Sequence, residues 1–212
     1  MKKTCTLLLT IILICLTGCE DKKSHESNTP IENTTDILSP KGKVQHDIHE
    51  NKTNNTAPAT TSRHTFVLND IEQSRYTISI DNKSITSTDI TAPLILINLF
   101  ATWCPPCRGE IPYLSDLQKK YKNKLFIAGV LVNDRQNNST LKTFIKKHHA
   151  DYYISNSEDN DAFAAQLVKG LQLPENFPLP LTVLYKKGNY YIHYEGAVPV
   201  EMIEHDIQEA IK

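Results

Sequence analysis

The sequence predicts an α/β fold, a mixed central sheet with helices on both faces, and three observations carry that prediction. Aromatic and aliphatic residues are sparse before Phe66 and dense after it, so the folding core lies in the C-terminal part of the 212-residue chain. There, short apolar or alternating runs take turns with segments of helical spacing. Near the end, Lys186, Lys187, Gly188 and Asn189 separate two apolar runs and read as a hairpin turn. Early strand–helix–strand crossovers imply parallel strands, and the late hairpin adds an antiparallel pair.

Taken in order, residues 66–68 and 76–80 alternate apolar and polar side chains, as two short strands with a polar turn between them. Leu94–Phe100 is apolar except for Asn98, as expected of a buried central strand, and Pro93 stands just before it. Ile111, Leu114, Leu117 and Tyr121 then recur on one face of a helix. Residues 125–132 form a second buried strand, 140–149 a helix, 152–154 a short strand and 161–171 a helix. The hairpin of 181–185 with 190–194 follows, and 201–211 is an amphipathic terminal helix. No internal repeat is visible.

The N-terminus reads as a secretory leader, residues 1–18: Lys2 and Lys3 precede an apolar run over 7–16 that is short of the roughly 20 residues of a membrane span. Leu16–Thr17–Gly18–Cys19 resembles the lipobox of bacterial lipoproteins, which implies cleavage before Cys19 and lipidation of that cysteine. An uncleaved signal anchor is the alternative; either way the remainder is expected outside the cytoplasm, tethered to a membrane. Residues 19–62 are expected to be the lipidated cysteine and a flexible polar tether, because so few apolar residues cannot offset the entropy of ordering. As a coil this stretch would span about 35 Å r.m.s.. Residues 63–212 form the predicted folded domain.

With 23 basic and 24 acidic residues, the charge balance excludes a nucleic-acid footprint. Of five cysteines, Cys5 and Cys15 leave with the leader and Cys19 takes the lipid, so Cys104 and Cys107 alone remain as thiols. A bond between cysteines three apart closes almost no loop and barely restricts the unfolded chain, so stability is not its purpose.

If Cys104 opens the helix after the strand Leu94–Phe100, Pro105 falls in the first turn, where its fixed φ helps and its missing N–H costs nothing. Pro106 also occupies a position whose N–H would have no helical partner. The unpaired N–H groups and the helix dipole favour negative charge, so Cys104 is expected to carry thiolate character. Cys107, one turn deeper on the same side, can attack a mixed disulfide formed by Cys104. Cys104 is therefore the candidate nucleophile and Cys107 the resolving thiol.

The segment Phe100–Ala101–Thr102–Trp103–Cys104–Pro105–Pro106–Cys107–Arg108 resembles the active-site segment of thioredoxin-fold proteins, most closely the TlpA/ResA/CcmG-like branch, over about residues 64–212. The resemblance implies a thioredoxin-like three-layer fold with an N-terminal β-hairpin and an inserted helix–strand element. It implies an exported, membrane-tethered thiol–disulfide oxidoreductase acting on disulfides of exported proteins, as in cytochrome c maturation, with electrons from a membrane donor of the thiol–disulfide interchange type. It needs no cofactor beyond the Cys104–Cys107 pair. Pro112 matches the family's helix-kinking proline and Gly196 the glycine closing the last hairpin. Pro178–Leu179–Pro180–Leu181–Thr182 matches the cis-proline loop, which places the cis bond at Leu179–Pro180 and substrate backbone beside it; Leu181 departs from the Thr often found after the proline. Asn98 stands where thioredoxins carry a buried Asp, and Glu110 where this branch carries a Glu able to exchange a proton with Cys107. An ordinary solvated helix residue is the alternative for Glu110. Trp103 could contact partners or shield the disulfide edge.

Rival readings are weaker. A zinc site lacks a second cysteine pair and histidines at finger spacing. A Cu(I)-handling protein of the same fold would want a dedicated downstream His, and His193 sits in a strand of alternating Tyr. A peroxidase would place its single cysteine differently. A scaffold would not need Cys104, Cys107 and Pro180 together. Reductase and disulfide-forming oxidase use the same cysteines in opposite directions, and the sequence does not choose between them. A shift of about 30 mV is worth only ~1.4 kcal/mol for a two-electron couple, within reach of one or two hydrogen bonds. Glu20 and Asp21 after Cys19 favour the periplasmic face of an inner membrane in a Gram-negative host, with an outer membrane the alternative.

Overall fold

A computed structural model describes residues 63–212. The leader, Cys19 and the tether read from the sequence lie outside the described residues.

The chain runs β1 (His64–Asn69), β2 (Arg75–Asp81), β3 (Ser84–Thr86), β4 (Leu94–Phe100), α1 (Pro105–Lys120), β5 (Leu125–Leu131), α2 (Asn138–His148), β6 (Tyr153–Ser155), α3 (Asn160–Leu171), β7 (Leu181–Lys186), β8 (Asn189–Glu195) and α4 (Val200–Ile211). The strands form one sheet in the order β1-β2-β3-β8-β7-β4-β5-β6. As the crossovers predict, β4, β5 and β6 are parallel, while β7 pairs antiparallel with both β4 and β8. The two expected N-terminal strands pair antiparallel as β1 and β2.

Every residue of β4 is buried, because it is central and covered on both faces. Its alternation divides the core. Ile95, Ile97 and Leu99 point to the side of Phe163, Leu167 and Leu171 of α3. Leu94 and Leu96 point to the side of Leu114 and Leu117 of α1 and Ile203 and Ile207 of α4. Phe66 of β1 closes edge-on against Phe163, ring centroids 5.7 Å apart.

Strand β3 is absent from the sequence reading. It has three residues with Ile85 alone fully buried, too little pattern to separate from a turn. Helix α2 begins two residues earlier than its apolar spacing indicates, because the side chain of Asn137 caps it by accepting from the Thr140 N–H at 2.9 Å. It ends at His148; His149, at φ 53°, is the left-handed cap. Among the described residues no helix is long and apolar enough to cross a membrane.

Candidate active site

The buried strand β4 delivers the chain to Ala101, and a turn closed by the Cys104 N–H donating to the Ala101 carbonyl (3.1 Å) leads into α1. Cys104 is the N-cap, with extended backbone (φ −78°, ψ 112°), and its Sγ accepts from the Cys107 N–H at 3.3 Å. That is the N-terminal helix site in which sulfur charge is favoured. Pro105 and Pro106 fill the first two helical positions and are exposed. Cys104 and Cys107 form a disulfide, S–S 2.06 Å, with Cα atoms 5.3 Å apart. Both are buried.

The second wall is the loop before β7. Leu179–Pro180 is the cis peptide bond, as the motif implies, and the Leu179 carbonyl lies 3.8 Å from Cys104 Sγ. Gly196, at φ +77°, donates its N–H to the Pro180 carbonyl at 2.8 Å. The end of β8 is thus tied to the cis-proline loop. A cleft of ≈ 500 Å³ opens beside the disulfide, lined by Trp103, Cys104, Pro106, Asn133, Phe177 and Leu179 among others. Trp103, at its edge, is 60% exposed. A larger hollow of ≈ 830 Å³, between β1 and α3, shares Asn133 and Phe177 with this cleft but has no sulfur in its lining.

Glu110 follows Cys107 by one helical turn on the buried face of α1 and is only 7% exposed, so it is not a solvated helix residue. Its Oε1 accepts from the Val198 N–H at 3.3 Å, and its Oε2 has no partner. Burial pushes its pKa up to about 7, opposed in part by the Val198 N–H. It thereby becomes a carboxyl able to exchange protons near neutral pH. A hollow of ≈ 320 Å³ between α1 and the start of α4 reaches it. Asn98 is buried on β4, and its Nδ2 donates to Thr182 Oγ1 at 2.8 Å. Pro112 lies inside α1, where it removes one helical N–H without ending the helix.

Two residues that sequence reasoning passed over, Asp134 and Gln136, join Arg108 of the motif in holding the turn before Cys104. Asp134 accepts from the Thr102 N–H, Gln136 donates to Thr102 Oγ1 at 3.3 Å, and Arg108 donates to the Thr102 carbonyl at 3.3 Å. Arg108 is accordingly half-buried. A usable signal existed for the first two: polar residues just past the C-terminal end of a parallel strand are where α/β sheets place their sites. His193 is engaged within β8, by the Tyr190 hydroxyl (2.7 Å) and Glu195 (3.6 Å). Among the described residues no group of three or more His, Cys, Asp or Glu is placed to hold a metal. A soft cation would fall on the two reduced cysteine sulfurs.

The chain matches the family model described as Redoxin over residues 41–195. It is 33% identical over 137 residues to thiol-disulfide oxidoreductase ResA of Oceanobacillus iheyensis, covering 64% of this chain and 66% of that protein. To ResA of Bacillus subtilis it is 24% identical over 132 residues, 62% of this chain and 69% of the relative. Among solved structures, a thiol:disulfide interchange protein of the thioredoxin family from Chlorobium tepidum TLS superposes with TM-score 0.53 at 19% identity, covering 70% of this chain and 94% of that one. The exposed lipoprotein thioredoxin of Streptococcus pneumoniae TIGR4 does so with TM-score 0.51 at 14% identity, covering 69% and 99%. These neighbours share the fold. A parallel core strand delivering a capped cysteine pair against a cis-proline loop, joined to the family match, makes this chain a member of the Redoxin family and of its TlpA/ResA/CcmG-like, thioredoxin-fold thiol–disulfide oxidoreductases.

Proposed function

We propose that this oxidoreductase works outside the cytoplasm, lipid-anchored through Cys19, as a reductase of disulfides in exported proteins. The observation that carries the reading is the placement of Glu110: a carboxyl with a pKa raised to about 7, one helical turn behind Cys107. In the reduced enzyme the Cys104 thiolate attacks a substrate disulfide, forming a mixed disulfide and expelling one substrate thiolate. Cys107 then gives its proton to the Glu110 carboxylate and attacks Cys104 Sγ. The second substrate sulfur leaves, and the Cys104–Cys107 disulfide forms. Two electrons pass from the dithiol to the substrate, and a membrane thiol donor restores them. The cis-proline loop supports substrate backbone beside the sulfur, in the manner of an added strand. Leader and tether favour the envelope, and apocytochrome c or an oxidised partner oxidoreductase fits as substrate.

The test is the redox state of Cys104 and Cys107 in living cells, by acid quench and alkylation with a mass-shifting reagent. A mostly reduced pair in an oxidising envelope is expected. A mostly oxidised pair, with the donor present, overturns the reductase direction in favour of an oxidase.

A further inference from the structure

Among the described residues two buried side-chain polar atoms lack a hydrogen-bond partner: Glu110 Oε2 and the hydroxyl of Tyr152. The sheet register explains how they come to share one region. Asn98 of β4 pairs with Gly129 of β5 and with Thr182 of β7. Like Leu94 and Leu96, Asn98 faces α1. Gly129, in register beside it, leaves that face open, and the Tyr152 ring occupies the opening. A Cβ on Gly129 would meet the rings of Phe100 and Tyr152, each at 3.0 Å. Tyr152 accordingly packs against both apolar clusters under α1, the one holding Leu114 and the one holding Cys104 and Cys107.

A phenylalanine ring would fill that space as well. A hydroxyl buried without a partner costs about 1–3 kcal/mol, so the tyrosine requires another account. Burial, and after it the Glu110 charge, push the Tyr152 hydroxyl above its ordinary range and keep the phenol protonated as a donor. Val198 already holds one oxygen of the carboxylate; the other oxygen and the Tyr152 hydroxyl are the two groups left without a partner.

We propose that Tyr152 is a positioning residue for Glu110: its O–H donates, through one bound water, to Oε2 and holds the carboxylate in its ionised, proton-accepting form. The inference rests on the reductase reading for its purpose but not for its geometry. Other ionisable groups face Glu110 from each packed element. They are Cys107 one turn back on α1 with its partner Cys104, and Tyr113 and Glu201, which share the hollow between α1 and α4 with Glu110. In the sheet beneath α1, the register sets uncharged Asn98, Gly129 and Thr182 side by side.

The test is a carbon-13 NMR titration of the Glu110 side-chain carboxyl in the full-length, oxidised chain, where neither cysteine titrates. The signal is assigned by its loss in Glu110→Gln. Tyr152→Phe keeps the ring, and the midpoint is expected to rise by at least half a pH unit, because removing a donor disfavours the charged form. In the reduced chain, the pH midpoint for resolving a mixed disulfide should rise equally, and Tyr152→Phe should add nothing to Glu110→Gln. A Glu110 midpoint unmoved by Tyr152→Phe overturns the inference. A midpoint that moves in a chain unable to reduce insulin disulfides upholds it, and sinks only the reductase reading.

Discussion

Asn98 Nδ2 donates to Thr182 Oγ1 at 2.8 Å across the β4–β7 pair, two residues beyond the cis Leu179–Pro180 bond. The bond ties the strand that delivers Cys104 to the strand that delivers the cis-proline loop. It adds a buried side-chain tie to the β4–β7 ladder from which both walls of the cleft extend. Removing one partner leaves the other unsatisfied: Thr182→Val is expected to destabilise the protein by about 1–3 kcal/mol. Adding Asn98→Leu should recover part of that loss, since an apolar pair leaves no orphan. Urea unfolding of the single and double variants measures both.

Glu110 makes stability depend on pH with a definite sign. Its folded pKa, about 7, lies above its ordinary 4.5. Between those values the unfolded chain binds fewer protons than the folded one, so stability falls as pH rises through the window. Above pH 7 the full cost of the buried carboxylate is present. Glu110→Gln, in the oxidised protein, is expected to match the parent near pH 4 and exceed it by up to about 3 kcal/mol at pH 8. Denaturant midpoints across that range check the crossover.

Two glycines should respond oppositely to alanine. A Cβ on Gly170 of α3 would lie 2.1 Å from the Asn82 carbonyl oxygen in the turn between β2 and β3, so the helix must shift off that turn. Gly170→Ala should cost about 1–3 kcal/mol despite the better helix propensity of alanine. Gly109 of α1 has nothing within 4 Å of the same position, and Gly109→Ala should gain up to about 1 kcal/mol. Thermal melting distinguishes the signs.

The parts of the fold legible in the sequence are those whose burial pattern is continuous. Leu94–Phe100 is buried at every position and reads as a central strand from its apolar run alone. The three residues of β3 carry no such pattern, and the true start of α2 depends on an Asn137 cap that apolar spacing does not register. Of the site, Cys104, Cys107, Glu110 and the Leu179–Pro180 bond could be named because each belongs to a short local motif. Asp134 and Gln136 carried only the general signal of polar residues past a strand end, and Tyr152 carried none. They reach the site from the end of β5, the loop beyond it and the residue before β6, and only the parallel pairing of β4, β5 and β6 brings them there.

The central claim, that Cys104 attacks and Cys107 resolves, is tested most directly by trapping. The reduced chain and its Cys104→Ser and Cys107→Ser variants are mixed with insulin, and the products are resolved without reductant. The account predicts a persistent disulfide-linked adduct with Cys107→Ser, none with Cys104→Ser, and free insulin chains with the parent. An adduct forming as readily through Cys107 in Cys104→Ser, or no adduct with either variant, would contradict it.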